Sequence, residues 1–181
     1  MLEGKNIILR PMKQEDIDEY ILRTGDPKEN GAHFPLIVRS KPVIQKEFNE
    51  TGYWEHNKGR LMIIDKEENL VGFVSFFPGA WYMQGFEIGY QIFKREDRGK
   101  GYTSEALKLF SAYLFEEKQI QRLQLCINPD NIGSIKVGEN CGFKIEGTLR
   151  NIAYTRGKYH DLVIMSLLRD ECPSLNEALG L

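Results

Sequence analysis

The feature that most constrains this chain is a glycine-containing loop between a predicted strand and its clearest predicted helix. Residues 86–93 predict the strand, and residues 98–106 (Arg-Gly-Lys-Gly-Tyr-Thr-Ser-Glu-Ala) follow it. The next apolar residues repeat with the spacing of one helix face, at Ala106, Leu109, Phe110, Tyr113 and Leu114. An alternating apolar pattern at 123–127 then predicts another strand. A strand, a helix and a strand in this order predict a parallel strand pair joined by a right-handed crossover.

The same loop predicts a phosphate site. Gly99 and Gly101 let a backbone approach a ligand, and Arg98 and Lys100 add positive charge. The first N–H groups of the following helix lack internal partners, and the helix dipole favours an anion there. Either Thr103 or Ser104 is expected to cap this helix.

Several interpretations of the loop compete. The spacing of a Walker loop is absent. A dinucleotide fingerprint matches weakly, because Ser104 stands where the third glycine belongs. A basic strand-to-helix turn without a ligand remains open. The last interpretation is a pyrophosphate loop of the form Gln/Arg-x-x-Gly-x-Gly/Ala, in which Thr103 replaces the usual final residue.

The rest of the chain predicts one mixed α+β fold. Periodicity and turn residues predict further strands at 6–11, 60–65, 70–77, 142–147 and 162–168, and further helices at 14–23, 42–56 and 134–140. Hairpin connections predict mostly antiparallel pairing apart from the one parallel pair. We expect a single domain over residues 1–168 and a loose C-terminal tail over 169–181.

Four motifs in order resemble the GNAT superfamily of N-acetyltransferases, and in particular its RimJ/RimL-like branch. The motifs are residues 87–92 (Glu-Ile-Gly-Tyr-Gln-Ile), the loop at 98–103, Asn131-x-x-Ser134 with Gly142-Phe143-x-x-Glu146-Gly147, and residues 157–161 (Gly-Lys-Tyr-His-Asp). The resemblance covers residues 5–168 and implies the GNAT fold, with acetyl-CoA as the co-substrate and no metal.

The resemblance also implies which residues hold acetyl-CoA. Backbone groups of Gln91, Ile92 and Phe93 would flank the pantetheine arm, and Asn131 would bond to it. The pyrophosphate would lie on the loop amides of Arg98, Gly99, Lys100, Gly101, Tyr102 and Thr103.

The catalytic groups leave alternatives open. Glu87 is the expected base and Ser134 the expected proton donor to the leaving sulfur. Many GNAT enzymes place a tyrosine donor seven positions after the asparagine, where this chain has Gly138. A glutamate base of RimL-type enzymes corresponds here to Ala153. Glu87 as a solvent-facing strand residue and Ser134 as a helix cap are the structural alternatives.

The acceptor site is expected around the loop at 25–40 and around residue 81. His33, Phe34, Trp81 and Tyr154 are its candidate residues, although packing explains Tyr154 equally well. Cys126 and Cys141 are expected to be packing residues, and Glu146 a structural carboxylate.

Composition narrows the function further. With 181 residues and a formal net charge of −2, neither nucleic acid nor a membrane is an expected partner. The spacing of the cysteines and histidines does not match that of zinc ligands. We expect a cytoplasmic protein that is a monomer or a homodimer. The first hypothesis is an N-acetyltransferase acting on a protein N-terminal α-amine or a small amine. The second is a catalytically weak acyl-CoA-binding sensor on the same fold.

Overall fold

The computed structural model describes residues 1–35 and 37–181 and is built around one eight-stranded sheet. Residue 36, in the expected acceptor loop, lies outside the described residues. The strands are β1 (Leu2–Glu3), β2 (Ile7–Arg10), β3 (Gly59–Asp65), β4 (Leu70–Pro78), β5 (Gly85–Ile92), β6 (Arg122–Ile127), β7 (Lys144–Thr155) and β8 (Lys158–Leu168). The helices are α1 (Asp16–Gly25), α2 (Lys41–Thr51), α3 (Tyr102–Glu117), α4 (Ile132–Asn140) and α5 (Leu175–Leu179).

The strand order across the sheet is β1-β2-β3-β4-β5-β6-β8-β7. The β5–β6 pair is parallel, and the other neighbouring pairs in this order are antiparallel. This arrangement confirms the predicted α+β class with one parallel pair. Helix α3 makes the crossover between the parallel strands, as the loop and its flanking patterns predicted.

Helices cover both faces of the N-terminal part of the sheet. On one face, Leu107, Phe110 and Leu114 of α3 are fully buried in the larger apolar core. On the other face, Ile17 of α1 and Ile44 of α2 are buried in a second core. Strand β4 lies between the two cores, which explains why its residues 70–76 are all buried and not alternately exposed.

Two predicted helix ends differ from the structure. Helix α2 stops at Thr51 and not at residue 56, because Gly52 adopts a left-handed conformation (φ 59°) and donates its N–H to the Phe48 carbonyl at 2.8 Å. Helix α3 begins at Tyr102 with Gly101 as its N-cap residue, so the prediction of a Thr103 or Ser104 cap is wrong.

The C-terminal hairpin is longer than predicted. Strands β7 and β8 pair as far as Thr155 and Lys158, whereas the sequence predicted that the first of them ends at residue 147. Strand β7 is mostly exposed, so its sequence lacks the alternation of buried and exposed residues on which the prediction relied. Two shifts of register also interrupt its pairing with β8. The short strand β1 was not predicted.

Residues 169–181 are folded, which corrects the expectation of a loose tail. Arg169 donates to the carbonyls of Ile120 and Lys118 at 2.8 and 2.6 Å, so it ties this segment to the end of α3. Ser174 and Glu177 form a capping box that starts α5. Leu179 packs against the larger core. In residues 1–35 and 37–181, no helix is both long enough and apolar enough to cross a membrane.

Candidate active site

The site is built on a wedge between the two parallel strands. Strands β5 and β6 pair only from Gly85 to Glu87 with residues 122–124, and beyond Glu87 they diverge. On their outer edges, β5 pairs with β4 over residues 86–92 and β6 pairs with β8 over residues 122–127. The backbone edges that face each other across the wedge are therefore available to a ligand.

The glycine loop lies at the open end of this wedge. Gly99 and Gly101 have φ values of 77° and 85°, a region that residues with a side chain rarely adopt. No atom lies within 4 Å of where a Cβ would project from either glycine. No side chain caps α3, so no side chain occupies its first N–H groups. The loop fits a phosphate group held by backbone amides at the positive end of a helix.

The two cationic side chains of the loop are engaged elsewhere. The Arg98 guanidinium donates to the carbonyls of Glu29 and Ile92, which joins the loop to the segment after α1. The Lys100 ammonium lies 2.7 Å from a carboxylate oxygen of Asp97. Arg98 and Lys100 are therefore already paired within the protein, which leaves the backbone amides of the loop as the donors to test.

A tyrosine that the sequence analysis missed lies in the wedge. The hydroxyl of Tyr90 on β5 is 2.6 Å from the hydroxyl of Ser134 on α4. Asn131 is the N-cap residue of α4, and its side chain accepts the Ser134 N–H at 3.2 Å. Ser134 is therefore not the cap, and its hydroxyl is free to pair with Tyr90. Burial raises the pKa of Tyr90 to about 12, so the phenol keeps its proton at neutral pH.

Position 138, where the GNAT resemblance would place a tyrosine, faces the core in this chain. A Cβ on Gly138 would lie 2.9 Å from the Met165 sulfur and 3.1 Å from a methyl group of Leu125. A tyrosine at 138 would require the core to move. The alternation of β5 places Tyr90 on the α3 side of the sheet with Ile88 and Ile92, and this pattern could have identified it.

Glu87 approaches the wedge from the opposite face of the sheet. Its carboxylate accepts a hydrogen bond from the Cys126 thiol at a sulfur–oxygen distance of 3.1 Å. Burial, together with the nearby Glu87 charge, raises the pKa of Cys126 to about 12 and keeps it a neutral donor. The expectation that Cys126 belongs to the core is wrong, whereas Cys141 is buried in the larger core as predicted.

Polar contacts continue from Cys126 to the outer strands. The Gln124 amide donates to the Cys126 sulfur at 3.3 Å, and Arg122 donates to the Gln124 amide oxygen at 3.3 Å. Arg122 also forms a bidentate pair with Glu146, which accepts the Ser166 hydroxyl as well. These bonds lower the pKa of Glu146 to about 2 and confirm that it is a structural carboxylate.

The residues predicted to flank the pantetheine arm differ in whether their backbone N–H groups are already hydrogen-bonded within the protein. The Phe93 N–H donates to the Val71 carbonyl of β4 at 2.9 Å, so it is already used. Because antiparallel pairing alternates along a strand, the N–H groups of Tyr90 and Ile92 point away from β4, toward the wedge. The buried Gln91 side chain donates to Asn30 at 2.6 Å and so holds the segment after α1.

One cavity of about 680 Å³ brings the two expected catalytic residues together with part of the expected acceptor site. His33, Phe34, Glu87, Tyr90, Asn131 and Ser134 all line it. Trp81 and Tyr154 do not: Trp81 is 95% exposed in the β4–β5 loop, and Tyr154 is 63% exposed beside Tyr159. Within residues 1–35 and 37–181, no group of three His, Cys, Asp or Glu side chains is placed to hold a metal ion.

The turn between β7 and β8 holds one wall of this cavity. Arg156 donates to the carbonyls of Phe34 and Gly31 at 3.2 and 3.0 Å. The segment that carries His33 and Phe34 is therefore fixed by a side chain that lies more than 120 positions later in the chain.

Comparison with known proteins agrees with this geometry. The SPbeta prophage-derived uncharacterized N-acetyltransferase YokL of Bacillus subtilis is 30% identical over 175 residues, 93% of each chain. The ribosomal-protein-serine acetyltransferase of Escherichia coli is 26% identical over 144 residues, 78% of this chain and 79% of its own.

The fold also matches solved structures. The spermidine N-acetyltransferase of Vibrio cholerae, solved with CoA and spermine, superposes with a TM-score of 0.76 at 20% identity, over 91% of this chain and 96% of that one. The family model described as an acetyltransferase (GNAT) domain matches residues 6–144. With the wedge, the glycine loop and the crossover helix in the family arrangement, this chain belongs to the GNAT acetyltransferases.

Proposed function

We propose that this acetyltransferase moves the acetyl group of acetyl-CoA to a primary amine by direct attack within a ternary complex. The observation that carries the proposal is a cavity that joins Glu87, the Tyr90–Ser134 pair and the facing residues of β5 and β6 at the start of the wedge. Holding two substrates in line supplies much of the rate in such a reaction.

The two proton transfers of this reaction take place on opposite faces of the sheet. Glu87 accepts the proton of the attacking amine on the α1–α2 side. On the α3 side, the Tyr90 and Ser134 hydroxyls lie 2.6 Å apart. The proposed mechanism requires Tyr90 to be the donor of this pair, so that the Ser134 proton points toward the departing sulfur. The amine therefore enters from one face of the sheet and the thiol leaves on the other. The N–H groups of Tyr90 and Ile92, which point toward the wedge, are the backbone donors that can stabilise the negative charge that develops on the acetyl oxygen.

For the acceptor, we propose a protein N-terminal α-amine or a small amine, as in the RimJ/RimL-like branch. The ribosomal-protein-serine relative supports the first kind, and the fold neighbour solved with spermine supports the second. An α-amine, with a pKa of roughly 8, needs only modest help to lose its proton near neutral pH.

Free thiol release from acetyl-CoA tests the proposal. The panel contains short peptides with a free N-terminus, the same peptides with a blocked N-terminus, and spermidine. Release with free peptides and not with blocked ones assigns an α-amine acceptor, and release with spermidine alone assigns a polyamine. A rise in melting temperature with acetyl-CoA but no thiol release from any acceptor would leave the sensor hypothesis instead.

A further inference from the structure

Arg60, the second residue of β3, is a partly buried cation in the wall of the cavity. Its guanidinium carbon lies 5.1, 5.5 and 4.2 Å from the ring centres of Tyr20, Tyr53 and Phe73. Nη1 donates to the Tyr20 hydroxyl, and Nε is buried without a hydrogen-bond partner among the described residues. The aromatic faces compensate part of the charge and hold the guanidinium in place.

The other cations of the cavity wall have acidic partners. Arg39 pairs with Glu47, and Lys58 lies 3.0 Å from Glu55. Arg60 has no acidic partner in the part of the chain that the structure describes. A permanent cation that is partly removed from water gains most from an anion that reaches it.

Arg60 and Glu87 share one face of the sheet. Arg60 pairs with Ser75 of β4, and Ser75 pairs with Gly89 of β5, so these three positions form a row across the strands. Glu87 is two residues before Gly89 and therefore points to the same side. Two strand spacings of roughly 4.8 Å place the Arg60 backbone about 10 Å from β5. An acceptor with its amine at Glu87 can extend over β4 toward Arg60.

We propose that Arg60 binds an acidic group of the acceptor, which makes the preferred substrates amines that carry a carboxylate or a phosphate several bonds from the nitrogen. This proposal rests on the proposed acetyl transfer and adds the charge of the acceptor to it. The planar guanidinium suits either anion because its N–H groups can donate in parallel.

Matched acceptor pairs separate the proposal from its alternatives. The peptide Ala-Glu-Ala-Ala with an amidated C-terminus is compared with Ala-Gln-Ala-Ala-amide, and O-phosphoethanolamine is compared with ethanolamine. The first pair tests a carboxylate and the second a phosphate. We expect the acidic member of at least one pair to have a kcat/KM higher by about 10-fold to 100-fold, the range of a charge-assisted hydrogen bond.

Variants assign this preference to Arg60. Arg60→Met keeps an apolar stem among the rings, and we expect the acidic and neutral acceptors to become equal while the KM for acetyl-CoA stays unchanged. Lys58→Met removes another cation of the same cavity and is expected to leave the preference as in wild type. If Arg60→Met does not fold, Arg60→Lys is used instead, because it keeps the positive charge but lacks the parallel N–H donors of the guanidinium. We expect it to lower the preference for acidic acceptors severalfold.

Wild-type enzyme with equal kcat/KM for both members of both pairs would overturn the proposal while leaving acetyl transfer intact. A preference that survives in folded Arg60→Met, or that Lys58→Met lowers as much, would also overturn it. Failure of every acceptor to release thiol would instead reject the proposed function.

Discussion

At the scale of single residues, the proposed proton transfer to the sulfur uses two hydroxyl groups where the family pattern places one phenol. Gly138 has no side chain that could supply a donor, and a larger residue there would collide with Met165 and Leu125 in the core. Tyr90 reaches the same region from β5 and pairs with Ser134. Since the raised pKa keeps the Tyr90 proton in place, we propose that the phenol acts by orienting the Ser134 hydroxyl.

The two hydroxyls are therefore expected to act as one unit. We predict that Ser134→Ala lowers kcat by about 10-fold to 100-fold, the modest end for proton-transfer assistance, and that Tyr90→Phe has a similar effect. The double variant should cost little more than either single one, because groups that act together are not additive. Tyr113→Phe, on α3 beside Trp54, is the control and should retain wild-type kcat. Additive losses would show that the two hydroxyls act independently.

Glu87 yields a prediction about pH. If its carboxylate accepts the amine proton, Glu87→Gln lowers kcat/KM most at low pH, where few acceptor amines are neutral. The defect should shrink as the pH approaches the amine pKa, roughly 8 for an α-amine. A pH–rate profile of both enzymes on one peptide acceptor measures this. A defect that stays constant with pH would mean that Glu87 positions the acceptor or supports β5.

At the scale of elements, the turn into α3 should bind its ligand through the backbone. We predict that Gly101→Val strongly weakens acetyl-CoA binding, because a side chain would enter the open space above the loop amides. Lys100→Ala should be much milder, since Asp97 already pairs with this exposed ammonium group.

Calorimetric dissociation constants measure both effects. Gly52→Val is the matched control for backbone strain, because Gly52 also has positive φ (59°) and open space at its Cβ position but ends α2. It should lower the melting temperature as Gly101→Val does and leave acetyl-CoA affinity intact. Equal dissociation constants for the Gly101 and Lys100 variants would contradict binding by the backbone.

The ion pair between Arg122 of β6 and Glu146 of β7 leads to a prediction about how the free energy of unfolding changes at acidic pH. The folded pKa of Glu146, about 2, lies below its usual value near 4.5. Because the pKa of Glu146 is lower in the folded than in the unfolded protein, its carboxylate stabilises the folded state at pH values above 4.5. This stabilisation is lost as the pH falls from 4.5 toward 2. We predict that wild type is more stable than Glu146→Gln at pH 7 and that this difference disappears near the folded pKa. Urea unfolding at several pH values checks this, and Arg122→Met should flatten the same window because it removes the main cause of the shift.

At the scale of the whole molecule, local patterns were sufficient for most of the elements between residues 6 and 142 and for the glycine loop. The apolar repeat of α3, the alternation of β6 and the two glycines are short-range features, and they predicted the parallel pair around the wedge. Asn131 and Ser134 were identified because a short motif contains both. The direction of exposed loops is not encoded in such patterns, and Trp81 was therefore expected in a cavity that it does not line.

The remaining site residues depend on contacts between distant parts of the chain. Tyr90 meets Ser134 across 44 positions, and Arg60 meets Tyr20 across 40. Each looks like an ordinary strand residue until its partner is known. The turn of the β7–β8 hairpin is a further example, because it follows the region that the family pattern covers and still holds the segment with His33.

That last contact bears on when the enzyme can be completed during its synthesis. Arg156 bonds to Gly31 across 125 positions, so the cavity wall at residues 31–34 is fixed only after almost the whole chain has been made. Strand β8, which pairs with β6 beside the wedge, also follows Arg156 in the chain. During translation the protein should therefore gain acetyl-CoA binding and amine selection together, once the C-terminal hairpin has left the ribosome.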